Sequence, residues 1–166
     1  MKIKIFTMTH KKFQEPENGI YVPLHVGKAN AENLGYLGDD TGDSISRWNN
    51  FYGELTGVYW VWKNEVDADI IGICHYRRFF LNKHRQLLEQ QEYEDMIVSN
   101  RVQADTRYLD YFGEAHNVED LLTVGEVIKE KYPEYFPYYQ NAMDGNTYYY
   151  GNLMVTSRKL FQEYAS

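Results

Sequence analysis

Four consecutive side chains, His75, Tyr76, Arg77 and Arg78, follow the apolar run Ile70-Ile71-Gly72-Ile73-Cys74. Together they offer a chemistry suited to a diphosphate, because a guanidinium fork matches phosphate oxygens in pairs and keeps its charge. A solvated strand exit whose arginines pair with surface carboxylates is the competing reading, and both stay open. Thr9 and His10 close an earlier apolar run, Ile3 to Met8, in the same way. Histidines at the ends of two buried strands are expected to converge, with Thr9, on one crevice.

A second candidate is Gly38-Asp39-Asp40-Thr41-Gly42-Asp43-Ser44-Ile45-Ser46. Asp39, Asp43 and Ser46 suit hydrogen bonds to ribose or sugar hydroxyls. Asp39, Asp40 and Asp43 equally suit oxygen ligation of a hard cation, and plain turn chemistry accounts for the same residues. His116 and Asp120 are spaced i, i+4 around a helix start, where either is a candidate general base for a hydroxyl nucleophile. The opposing reading makes Glu119 and Asp120 helix-capping carboxylates. Asp67-Ala68-Asp69 precedes its strand, at the end away from the expected crevice, and reads as a solvated loop. No Gly-x-Gly-x-x-Gly, Walker or Gly-x-Ser-x-Gly motif occurs. Cys74 lies too deep in its strand for an exposed nucleophile.

The elements that must position these residues follow from the apolar pattern. Ile70 to Cys74 has no polar alternation and reads as a strand buried on both faces, in a sheet covered by helices. In open sheets of that kind ligands sit outside the carboxyl ends of the strands. Ile3 to Met8 is the first strand, and Ile20 to Val26 a second, placed at an edge by Pro23. From about Asn49 the spacing predicts a helix with Phe51, Leu55, Val58, Tyr59 and Trp62 on its inner stripe. Tyr93 to Ser99 reads as a strand, and Asn117 to Lys131 as a helix with Val118, Leu121, Leu122, Val127 and Ile128 inward. Tyr148 to Thr156 reads as the last strand, and a helix begins at Arg158.

With 166 residues, 43% of them hydrophobic, the chain is expected to form one domain with a substantial core. A net charge of -7 argues against a nucleic-acid scaffold while leaving room for a locally positive pocket. Aromatic residues reach 16%, with 16 tyrosines, which fits surfaces that stack on sugar rings and equally fits an aromatic core. The single cysteine and the lack of a long apolar segment point to a reducing cytoplasm.

The blocks Tyr21 to Gly27, Gly38 to Ser46, Glu54 to Asn64 and Gly72 to Phe80 resemble the family catalogued as domain of unknown function 4422. His116 to Leu121 and Asn152-Leu153-Met154-Val155 also resemble family positions. Its members are bacterial and commonly described as capsular or exopolysaccharide glycosyltransferases. The element order is similar to a distant GT-A nucleotide-diphospho-sugar fold of the glycogenin type. The resemblance implies an α/β fold with a mostly parallel sheet flanked by helices, as one domain over 1–166 that is short at its C-terminus. It implies transfer of a hexose, with a galactose-type donor, from a nucleotide diphosphate sugar to a lipid-linked or oligosaccharide acceptor. The setting would be capsular, exopolysaccharide or O-antigen biosynthesis, in peripheral association with the cytoplasmic membrane face. Donor contacts would come from Thr9, His10, Asp39, Asp43, Ser46, His75, Tyr76, Arg77, Arg78 and Asn152, and catalysis from Asp120 and His116. His75-Tyr76-Arg77 stands where the GT-A pattern has Asp-x-Asp, so its cations would offset the leaving diphosphate. A divalent cation, manganese or magnesium, stays open as the alternative. A non-catalytic saccharide- or nucleotide-binding module of a polysaccharide assembly system is the second functional reading.

Overall fold

Short runs rich in β-branched residues, punctuated by glycine turns, set the strand pattern. The computed structural model describes residues 1–82, 86 and 96–166. In chain order its strands are β1 (Ile3–Thr9), β2 (Tyr21–His25), β3 (Leu37–Gly38), β4 (Ile70–His75), β5 (Met96–Val98), β6 (Arg101–Gln103), β7 (Thr147–Tyr149) and β8 (Met154–Ser157). The helices are α1 (Asn49–Tyr52), α2 (Leu55–Asn64), α3 (Tyr108–Gly113), α4 (Val118–Lys131), α5 (Phe136–Asp144) and α6 (Arg158–Ala165). Residues 93–95 of the expected Tyr93–Ser99 strand lie outside the described residues. The packing falls into two compact units, Met1–Val98 with Asn152–Ser166, and Ser99–Gly151.

The first unit is an α/β layer built on a sheet of order β3-β2-β1-β4-β8-β5. The ladders from β3 through β4 are parallel, and β8 runs antiparallel to both β4 and β5. As the two-sided apolar runs require, β1 and β4 are interior neighbours. Phe6, Met8, Ile71 and Ile73 face a core shared with Val58 and Val61 of α2 and Phe161 of α6. Ile3, Ile5, Ile70 and Cys74 pack on the opposite face with Ile20 and Phe80. Pro23 lies on an open stretch of β2, because β3 pairs only with Leu24 and His25.

The expected stripe on the first helix is corrected. Gly53 separates α1 from α2 and resets the helical phase, so Thr56, Gly57, Val58, Trp60 and Val61 are buried. Phe51 is 78% and Leu55 44% exposed. Gly57 is a close approach: a Cβ there would lie 2.5 Å from the Met8 sulfur and 2.6 Å from Val26 Cγ1. The start of α2 therefore lies flush against the carboxyl end of β1.

The second unit pairs β6 with β7 antiparallel and packs α3, α4 and α5 together. Asn117 caps α4 by accepting the Glu119 N–H at 3.2 Å. Leu122 and Val127, expected inward, are exposed. Instead the helix seats Gly125 against the Tyr139 ring, and the Tyr139 hydroxyl donates to the Leu121 carbonyl at 2.6 Å. The expected last strand is two: Gly151, at φ +68°, turns the chain between β7 and β8, which belong to different units. No described helix is long and apolar enough to cross a membrane.

Candidate active site

Parallel pairing of β1 with β4 brings their carboxyl ends to one edge of the sheet. Met8 is the register partner of His75, and the Tyr76 N–H donates to the Met8 carbonyl at 3.2 Å. Beyond that line lies a crevice of about 190 Å³, whose walls include Thr9, His10, Asn49, Glu54 and His75. Thr9, His10 and His75 thus meet, as their positions at strand ends predict. The Thr9 hydroxyl donates to the Lys11 carbonyl at 2.5 Å and accepts the Lys11 N–H at 3.2 Å, which turns the chain out of β1.

Tyr76 organises the rim. It is buried, meets His10 edge-on at 5.4 Å, and lies 4.4 Å from the His75 ring. Lys11 Nζ stands 5.3 Å and the Arg77 guanidinium 5.2 Å from the Tyr76 ring centre, within cation–π range. Arg78 N–H donates to the His75 carbonyl at 2.7 Å, closing the turn that presents both arginines to solvent. Among the described residues Lys11, Arg77 and Arg78 form no ion pair. Burial holds His75 below its ordinary pKa, and Arg77, Arg78 and His10 lower it further, so the imidazole is neutral at physiological pH. Cys74 beneath it is inert, since burial pushes its thiol up to about 12.

Asp39 has another task than the ligand contact expected of it. It is fully buried, and its carboxylate accepts from Gly27 N–H (2.9 Å), Lys28 N–H (3.2 Å), Ser46 Oγ (2.5 Å) and Thr56 Oγ1 (2.7 Å). Ser46, whose hydroxyl is spent on Asp39, supports the loop in the same way. Asp43 accepts from the Tyr59 hydroxyl at 3.0 Å and exchanges backbone bonds with the Asn64 amide, so it is tied to the far end of α2 from Glu54. Asp40 pairs with Lys28 at 3.4 Å. The three aspartates considered for a cation are therefore engaged separately. No group of three or more His, Cys, Asp or Glu among the described residues is placed to hold a metal ion.

Asn152 leads into β8, whose register places Met154 opposite Ile73. In the second unit His116 is exposed and packs on Phe112 at 4.6 Å, lining a tyrosine-walled pocket. Asp120 lies outside that wall in the first turn of α4, where its carboxylate accepts from the Asn117 side chain at 3.2 Å.

The sequence profile of the family described as domain of unknown function (DUF4422) matches residues 4–166. The chain belongs to this family. No curated protein matches it. Among solved structures the DUF4422 chain is similar to the apo form of the bifunctional glycosyltransferase WbbM, with a TM-score of 0.81 at 28% identity. That likeness covers 99% of this chain and 35% of the other, so the chain spans about a third of the length of WbbM.

Several residues of the DUF4422 crevice escape a reading by strand ends. Glu54 and Asn49 reach it from the α1–α2 corner, and Lys11, in the turn after His10, stands over the neighbouring Tyr76 ring. Phe13 brings its ring to 6.1 Å from Tyr76 and 5.9 Å from Tyr36, extending the aromatic rim. The signal for Glu54 was its position directly before an apolar helix, which puts it at an N-terminus that the sheet must face.

Proposed function

We propose that this chain is a glycosyltransferase domain that uses a nucleotide diphosphate sugar, with both compact units forming one catalytic domain over 1–166. The observation that carries the reading is the crevice where Thr9, His10, Glu54 and His75 meet beside three cations without ion-pair partners among the described residues. A glycosyl transfer breaks the bond from the anomeric carbon to the diphosphate oxygen, and the electron pair leaves on the diphosphate. Lys11, Arg77 and Arg78 are arranged to offset that charge. The Phe13, Tyr36 and Tyr76 rings suit the nucleobase, His10, His75 and Asn152 suit the sugar and its phosphates, and Asp39, Asp43 and Ser46 keep the surrounding loops in place.

The attacking acceptor hydroxyl must lose a proton. Glu54 is the carboxylate that lines the crevice and is a base candidate there; His116 and Asp120 are the base candidates read from the sequence. The likeness to a bifunctional glycosyltransferase supports glycosyl transfer in general; a hexose donor, a saccharide acceptor and a place in surface-polysaccharide assembly are our reading beyond it. Manganese or magnesium, if used, would take the diphosphate oxygens as ligands.

A thermal-shift panel of nucleoside diphosphates and nucleotide sugars, with and without manganese, tests the reading, because a ligand at about 100 times its Kd stabilises the fold by about 2.7 kcal/mol. A shift with donor hydrolysis or transfer supports the enzyme. A shift with neither activity marks a binding module instead. No shift with any nucleotide overturns both.

A further inference from the structure

We propose that the tyrosine-lined pocket of the second unit is a carbohydrate cleft that takes the acceptor saccharide. Its volume of about 470 Å³ lies within the range of small-molecule sites. Tyr148 is the centre of its wall. Tyr111 stacks on it at 5.2 Å and 22°, Tyr108 tilts against it at 5.4 Å, and Tyr150 meets it edge-on at 5.4 Å. The Tyr111 and Tyr150 hydroxyls are 2.9 Å apart, so the rings present a joined row of hydroxyls at their tips. Glu114 and His116 complete the polar lining.

That combination selects a sugar over other ligands. Pyranose C–H faces pack on aromatic rings, and sugar hydroxyls need both donors and acceptors, which phenols, a carboxylate and an imidazole supply. An anionic ligand is disfavoured, because the wall has a carboxylate and no lysine or arginine. An intercalated base is disfavoured, because Tyr111 and Tyr148 already stack on each other. A lipid chain would desolvate Glu114 and His116 and offer the row of hydroxyls no partner beyond those it has in itself. The wall is formed by residues 108–151 alone, so binding there does not depend on the sheet crevice. The assignment of the bound sugar as acceptor rests on the glycosyltransferase reading; the affinity for a sugar does not.

The test is saturation-transfer NMR on the full chain with methyl β-galactopyranoside, methyl α-glucopyranoside, lactose and maltose at millimolar concentration. Uridine serves as the competing probe. At least one saccharide should bind, and Tyr150→Ala should weaken it about five- to ten-fold, the loss of one aromatic platform. Tyr150 is 48% exposed, and truncating it leaves the Tyr111–Tyr148 stack in place. Glu114→Gln, an exposed and nearly isosteric change, should weaken the same saccharide while circular dichroism stays unchanged. Silence from every saccharide, equal binding in both variants, or displacement of the saccharide by uridine overturns the cleft. If saccharides bind and nucleotides cause no thermal shift, the cleft stands and the transferase reading falls. Loss of the nucleotide shift in Tyr150→Ala would show the pocket to be part of the nucleotide site, and would overturn the assignment.

Discussion

Asp39 accepts the Thr56 hydroxyl at 2.7 Å with both residues fully buried, which ties the loop after β3 to the first turn of α2. Gly27, Lys28 and Ser46 converge on the same carboxylate. An acidic glycine-rich loop, ambiguous as sequence, is here a device that fixes the corner from which Glu54 enters the crevice.

Asp39→Ala should therefore act on stability. It strands several buried donors, each costing about 1–3 kcal/mol, and a total loss of about 3 kcal/mol or more is expected in urea denaturation. Asp39→Asn keeps one acceptor and should lose less. At a temperature where the Asn variant is folded, its nucleotide affinity should stay within about three-fold of the parent, the change expected when no direct contact is removed. A larger drop would return Asp39 to the ligand.

Trp60 and Trp62 separate the two phases of α2. Trp60 is buried, its indole N–H donates to the Thr41 carbonyl at 2.8 Å, and its ring meets Phe6 edge-on at 6.4 Å. Trp60→Ala should cost about 3–5 kcal/mol. Trp62 is partly exposed under Lys63 Nζ, 3.4 Å from its ring centre, and Trp62→Ala should cost clearly less. Equal losses would mean that the helix is seated as the original stripe had it.

That contrast shows what was legible in the sequence. Strands β1 and β4 were readable because two-sided burial leaves no polar alternation, and parallel pairing then obliged Thr9, His10 and His75 to meet. The helix phase was not readable, because Gly53 restarts the turn count. Tyr148 to Thr156 looked continuous because aromatic and β-branched residues flank its middle; a turn at the left-handed Gly151 separates β7 from β8. The buried partners of Asp39 were not readable, because an aspartate in a glycine loop looks alike whether it faces solvent or four donors. Long-range partners such as Thr56 leave no local mark.

Stability should fall on mild acidification. Burial lowers the pKa of His25 below the ordinary 6.5, with Asp39 and Asp40 opposing and Lys28 and His10 adding to the depression. Its Nδ1 has no partner among the described residues, so a buried imidazolium would gain no hydrogen bond there. Between 6.5 and the lower folded value, the unfolded chain binds a proton that the folded chain refuses. The contribution is complete above 6.5 and is lost as pH falls through that window. His75 adds in the same direction. Urea midpoints at neutral pH and at about pH 5.5 should show the drop, and His25→Gln should flatten it. An unchanged slope in that variant would assign the effect to His75 or elsewhere.

The last prediction concerns the arginines beyond His75. Both are exposed, neither has a carboxylate partner among the described residues, and Arg77 rests on the Tyr76 ring. Removing either charge should leave the fold intact, because no buried group loses an ion-pair partner and only the Arg77 contact with the Tyr76 ring is given up. Arg77→Met or Arg78→Met should weaken binding of a nucleoside diphosphate by about 1.5–3 kcal/mol, the worth of a charged hydrogen bond, as read by calorimetry. The parent nucleoside, without phosphates, should bind both variants as it binds the unaltered chain. Lysine should restore binding only in part, since a point charge does not reproduce the planar fork. The two losses should not simply add if both guanidiniums share one diphosphate, and the double variant measures that coupling. Unaltered diphosphate affinity in both single variants, together with strong dependence on manganese, would return Arg77 and Arg78 to a solvated strand exit. The leaving charge would then fall to a metal held by the diphosphate itself.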